Sequence, residues 1–177
     1  MAVIRERQVV ADSWQLLKPA ADGSLAVPAT GDVIVPLGVW REQSAALRTR
    51  AGKVGVWLDS HEDPALIADD LQHLELIAVN FPQFTDGRGY SIARLLRERY
   101  GWRGELRAIG DVLRDQLSYL ASCGFDALDL RAGQDAQAAL ASLDDFSEAY
   151  QSSAARPQPL FRRREVVAPD GMELASR

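Results

Sequence analysis

The sequence predicts an α/β fold, a five-unit βα repeat forming an open, parallel, three-layer sheet of the flavodoxin or Rossmann kind. Three observations predict it. Short apolar runs bounded by Gly and Pro alternate with amphipathic stretches from Asp32 onward. The runs begin about 20 to 30 residues apart, the span of a βαβ unit. A chain of 177 residues, 47% of them hydrophobic, is long enough to bury such a sheet in one core. The alternative is a partial (β/α) barrel, because the same alternation closes a ring at eight strands. Two half-barrels could close one by dimerising.

The elements follow in order. Residues 3–5 and 9–17 read as a short hairpin, and Pro19, Gly23, Pro28 and Gly31 punctuate the loop after it. Residues 1–31 are therefore an N-terminal hairpin or arm, of a kind a homodimer can use. Residues 33–37 read as a strand and 39–50 as its helix, with Gly52 as the C-cap. Residues 54–58 form the next strand. Asp63-Pro64 opens a helix to residue 74, since proline is tolerated in a first turn. Residues 76–80 are the third strand, and Ser91 caps a helix running to Tyr100. Residues 105–109 and 112–123 make the fourth unit, and 125–130 and 135–150 the fifth. The α/β domain spans 32–150. From Gln151 a Ser-, Ala- and Pro-rich run leads to Arg162-Arg163-Arg164, and 151–177 reads as a flexible C-terminal tail.

Totals exclude several classes. A net charge of -5 and a pI near 5.1 argue against a nucleic-acid binder. No apolar run approaches the roughly 20 residues of a membrane span. The first residues lack the apolar core of a signal peptide, so a cytoplasmic location is expected. The single cysteine, Cys123, rules out an intrachain disulfide and reads as a structural thiol. His61 and His73 have no companion ligands in sequence, so no metal site is expected.

Ligands of parallel α/β folds bind outside the carboxyl ends of the strands. Here those ends carry Asp59 and His61, then residues 80–90, then Gly110 and Asp111, then Arg131. The turn Asp86-Gly87-Arg88-Gly89 allows positive φ at two positions and close approach of a ligand. Asn80, Arg88, Gly89, Tyr90, Arg94 and Arg114 are the expected ligand-binding residues, and guanidinium pairs suit a small oxyanion. Asp86 and Asp111 are the expected acid/base groups if a reaction occurs. The competing reading makes Asp86 and Arg88 an internal ion pair that fixes the turn. Gly87 and Gly89 lack the third glycine of a dinucleotide fingerprint, and no phosphate loop, nucleophile elbow or zinc-protease motif is present. The residues name no cofactor. Tyr90, Trp102, Tyr119 and Phe125 are expected to pack in the core.

Two blocks are specific. Asn80-Phe81-Pro82-Gln83-Phe84-Thr85-Asp86-Gly87-Arg88-Gly89-Tyr90-Ser91-Ile92-Ala93-Arg94-Leu95-Leu96-Arg97 is one, and Gly104-Glu105-Leu106-Arg107-Ala108-Ile109-Gly110-Asp111-Val112-Leu113-Arg114-Asp115-Gln116-Leu117 the other. With Cys123-Gly124-Phe125-Asp126-Ala127-Leu128 and Asp144-Asp145-Phe146-Ser147, they make residues 30–151 resemble a bacterial family of unknown function encoded beside the assimilatory sulfite reductase hemoprotein. Its members are often labelled probable oxidoreductases involved in sulfite reduction. The resemblance implies an accessory protein of sulfate and sulfite reduction, assisting the hemoprotein as its partner or binding a small anion. A single cysteine cannot ligate an iron–sulfur cluster unaided, which favours helping a redox enzyme over carrying electrons. An oxidoreductase or other enzyme acting on a small anionic substrate stays open, as does a structural or oligomerising module.

Overall fold

The structure, a computed structural model, describes residues 2–143. The predicted apolar runs are strands, buried on both faces. The strands are β1 (Ala2–Arg5), β2 (Gln8–Ala11), β3 (Gln15–Leu16), β4 (Val33–Pro36), β5 (Val54–Leu58), β6 (Leu76–Phe81), β7 (Glu105–Gly110) and β8 (Ala127–Leu128). The helices are α1 (Leu37–Leu47), α2 (Arg88–Arg94), α3 (Leu117–Ser122) and α4 (Ala136–Leu140), with a 3-10 helix over Pro64–His73. All eight strands lie in one sheet, in the order β2-β1-β8-β7-β6-β5-β4-β3. Strands β3 to β8 run parallel, and β1 is antiparallel to both its neighbours.

The architecture is mixed α/β, but the strand order corrects the expectation of an open three-layer sheet. From β3 to β8 each new strand is added on the same side of the last. A doubly wound sheet needs one reversal of order to send helices to its second face. Without it, right-handed crossovers put every helix on one face. The packing agrees. Trp40 of α1, Ile67, Ile92 of α2, Leu117 and Leu120 of α3 and Ala139 of α4 share a core with Val35, Val56, Ile77, Val79, Leu106 and Leu128 of the sheet. The alternate residues, Ile34, Leu76, Ala78 and Ile109, form a second cluster against which the partly buried Trp14, Leu16 and Trp57 pack. The four are nevertheless 0–1% exposed.

Curling explains how a face with no helix is buried. Laid flat, eight strands at about 4.8 Å spacing would be roughly 34 Å wide. Yet the two edge strands, β2 and β3, are joined only by Asp12, Ser13 and Trp14. Four Cα steps from Ala11 to Gln15 span at most about 14 Å. The sheet therefore curls as in a half-barrel, and the second cluster fills its concave side. Residues 8–16 pair with β1 through their first half and with β4 through their second. The expected strand over 9–17 is thus divided between the two edges. A two-residue turn of Glu6 (φ 48) and Arg7 (φ 62) joins β1 to β2, the left-handed geometry that matches strand twist.

Two further expectations change. The α2 helix starts at Arg88, not Ser91; its N-cap position, Gly87, offers no side chain, and Asp86 Oδ1 accepts from one of the first N–H groups, that of Arg88, at 3.2 Å. It continues into a π turn, Leu95–Arg99. The fifth strand is only two residues long, and its helix is short, capped by Asp135 accepting from Gln137 and Ala138 N–H groups. The remainder of the expected helix to residue 150, the tail 151–177 with Arg162-Arg163-Arg164, and the block Asp144-Asp145-Phe146-Ser147 lie outside the described residues.

Candidate functional site

The parallel register aligns the carboxyl ends of β5, β6, β7 and β8, so the residues after them gather at one rim of the curled sheet. On β5 and β6 the inward-facing alternation reaches the rim at Asp59 and Asn80. Asn80 Nδ2 donates to Asp59 Oδ1 at 3.1 Å, and that oxygen also accepts from Ser60 N–H at 2.8 Å. Asp59 N–H in turn donates to Glu62 at 2.6 Å, and His61 Nδ1 lies 3.5 Å from Asp59 Oδ2.

Asp86 is the best-held acid of the rim. Arg88 grips it with Nε to Oδ1 at 2.9 Å and NH2 to Oδ2 at 2.7 Å. The buried Ser60 hydroxyl donates to Oδ2 at 2.7 Å. Those bonds, the Arg88 guanidinium first and Ser60 second, hold the carboxyl well below the usual carboxylate range. Arg88 is pushed up by the same contact. The ion pair expected as the competing reading is therefore formed.

Asp111 is engaged as well. Its Oδ2 accepts from Phe84 N–H at 3.0 Å and its Oδ1 from Arg131 at 2.9 Å. Its backbone N–H donates to Phe81 O at 2.7 Å, which locks the two turns together. Gln116 stitches the same region: its Nε2 donates to Phe84 O at 3.0 Å and to the Tyr90 hydroxyl at 3.1 Å. Burial pushes the Tyr90 phenol up.

The glycines of the turn work differently from the expectation. Gly87 has φ -79 and Gly89 is not among the positive-φ glycines, so neither uses left-handed freedom. Gly89 is glycine for space. A Cβ there would sit 2.6 Å from Cζ of Phe81, whose ring supports the start of α2. The left-handed glycine is Gly110, φ +97, where a Cβ would meet Phe81 O at 2.4 Å and Asn80 Oδ1 at 2.6 Å.

Among the described residues Arg88 and Arg94 share no partner. Arg94 turns away along α2 to Glu98 at 3.1 Å and lines a separate surface groove. Arg114 is exposed and makes no side-chain hydrogen bond or ion pair among the described residues. Trp102 and Phe125 are buried as expected, Tyr90 is half-buried, and Tyr119 is exposed. Cys123 is buried, and burial raises its thiol pKa, which fits a structural thiol.

Two features were not foreseen. Ser60 completes the Asp86 clamp, and its signal was its place in the turn just past the end of β5. More deeply, Arg107 sits 1% exposed inside the curl. It donates to Glu105 Oε1 from Nε (2.9 Å) and NH2 (2.7 Å), and to Asp12 Oδ2 from NH1 (2.8 Å). An arginine in the middle of an apolar strand was the available signal. Asp129 flanks this cluster, and burial raises its carboxyl pKa. No group of three His, Cys, Asp or Glu among the described residues is arranged to hold a metal ion.

The rim thus offers a neutralised network. Asp86 faces Arg88 and Asp111 faces Arg131, and each pair leaves its guanidinium more than half exposed. Such a surface can form charged contacts with a partner. Residues 55–161, more than half of the chain, match the model of a family described as a bacterial protein of unknown function (DUF934). No curated protein and no solved structure matches the chain.

Proposed function

We propose, for this chain as one that belongs to the DUF934 family of bacterial proteins of unknown function, an accessory role in assimilatory sulfite reduction, exercised by contact with the sulfite reductase hemoprotein. The observation that carries the contact reading is the state of Asp86. A general base needs a lone pair free for substrate and a pKa near the working pH. Asp86 has both oxygens committed to Arg88 and Ser60 and is held strongly acidic. Asp111, the other expected acid/base group, is spent on Phe84 N–H and Arg131. Support for the pathway comes from the resemblance of residues 80–97 and 104–117 to proteins encoded beside the hemoprotein gene.

A deletion strain tests this reading. Growth on sulfate as sole sulfur source should slow, and cysteine should restore it. The full chain should also co-purify with the hemoprotein. Normal growth of the deletion strain on sulfate would sink the pathway reading. A folded Asp86→Asn protein that still binds the hemoprotein but fails to restore growth would move the assignment to an enzyme using Asp86.

A further inference from the structure

Phe84 sits at the tip of the turn that follows β6. Residues 83–86 form a tight turn, closed by the Asp86 N–H donating to Gln83 O at 2.9 Å. Phe84 is one of its two central residues, and both of its backbone groups are held by other parts of the chain. Its N–H donates to Asp111 Oδ2 at 3.0 Å, and its carbonyl accepts from Gln116 Nε2 at 3.0 Å. Where the turn ends, Arg88 and Ser60 clamp Asp86. Phe84 is nevertheless 52% exposed, beside a core that buries Phe81 and Phe125. Turns are built chiefly from Gly, Pro, Asn, Asp and Ser, so a large apolar ring at a turn tip calls for a reason. A backbone fixed on so many sides holds that ring outward in a set place, which cuts the ordering cost of any contact made through it.

The charge shown to solvent around the ring has one sign. Asp111, which holds the Phe84 N–H, is paired with Arg131, and Asp86, two residues past Phe84, is paired with Arg88. In both pairs the acid is the more buried member and the base the more exposed one. The side chains of Asp86 and Arg88 are 13% and 61% exposed, and those of Asp111 and Arg131 are 22% and 52%. A chain of net charge -5 thus turns guanidiniums outward at this turn. Aromatic and arginine side chains are the types enriched where proteins touch. We propose that Phe84 is the anchor of a protein contact, its ring entering an apolar pocket bordered by carboxylates that meet Arg88 and Arg131. A pocket bordered by bases would meet these two as like charges and be rejected. The inference rests on the contact reading above and assigns that contact to the turn 83–86.

Binding of the full-length chain to the purified sulfite reductase hemoprotein tests the anchor. Phe84→Ala should weaken binding at least about tenfold. It should leave the urea midpoint unchanged, since the residue is more than half exposed. Tyr119→Ser removes a ring of similar exposure from α3 and should leave binding unchanged. Added salt should slow association of the wild type, and Arg131→Gln should lessen that salt dependence. A wild-type chain that does not bind the hemoprotein would overturn this inference together with the accessory reading. Binding that survives Phe84→Ala, or that falls as far in Tyr119→Ser, would overturn the anchor alone. So would a salt dependence that Arg131→Gln leaves unchanged. A wild-type dimer that Phe84→Ala dissociates would assign the ring to a second copy and overturn the proposal too.

Discussion

Asp86 accepts from four donors at once, and that makes its proton the most informative one on the molecule. Its pKa in the folded chain is depressed, chiefly by Arg88 and then by Ser60. A depressed carboxyl contributes stability above its unfolded value, near about 3.9, and loses it as pH falls toward the folded value. Asp86→Asn removes that contribution. The urea midpoint of the variant should lie below that of the wild type at pH 7, and the gap should narrow as pH is lowered from about 5 to 3. A gap equally wide at pH 3 would mean that the Arg88 clamp contributes nothing. The sequence made this pair legible, because Asp86 and Arg88 stand two apart in a turn. It left Ser60 unassigned, since a hydrogen bond between residues 26 apart depends on which strands are neighbours.

At the scale of the element, α2 shows how a helix start can be set by what lies beneath it. Gly89 sits over Phe81, which is 1% exposed and held between Tyr90 at 5.1 Å and Phe125 at 5.9 Å. That ring cannot give way cheaply to a new methyl group. Gly89→Ala would gain up to about 1 kcal/mol of helix propensity. It would lose about 1–3 kcal/mol by overpacking. The net effect should be destabilising in urea unfolding, and Gly87→Ala is the control. A Cβ at Gly87 meets only Tyr90 Cδ2, at 3.9 Å. Equal stability of the two variants would refute the packing account. Helix and strand positions were largely readable from apolar periodicity. The α2 start was not, because the sequence offers Ser91 as a cap while the helix begins after Gly87, with Asp86 accepting the Arg88 N–H from before it. The Glu6-Arg7 turn was equally hidden, since neither residue advertises positive φ as Asn-Gly would.

For the whole molecule the decisive fact is a strand order that never reverses. Strand–helix alternation is common to doubly wound sheets and barrels, so the sequence admitted both architectures, and spatial order alone chose the curled one. Arg107 could be found by its position, but its partner could not, since Asp12 lies 95 residues away. The Asp12–Arg107 contact spans the concave side and ties the segment between the two edge strands to β7. Removing one partner of a buried pair costs about 3–5 kcal/mol, and the lower end applies because Glu105 still faces the guanidinium. Asp12→Ala should therefore lower the urea midpoint far more than Arg94→Ala, whose exposed pair is worth at most about 1 kcal/mol. Similar losses for the two would refute a structural role for the interior cluster. The same joined edges impose an order of events. Ile4 pairs with Leu128, so β1 cannot find its place until nearly the whole described chain has been made. Until then β1 and β2 can pair only with each other, while the parallel strands assemble from β3 and β4 onward. Closing such a long loop is slow. The β1–β2 hairpin is thus made before every other described strand and is docked after them all.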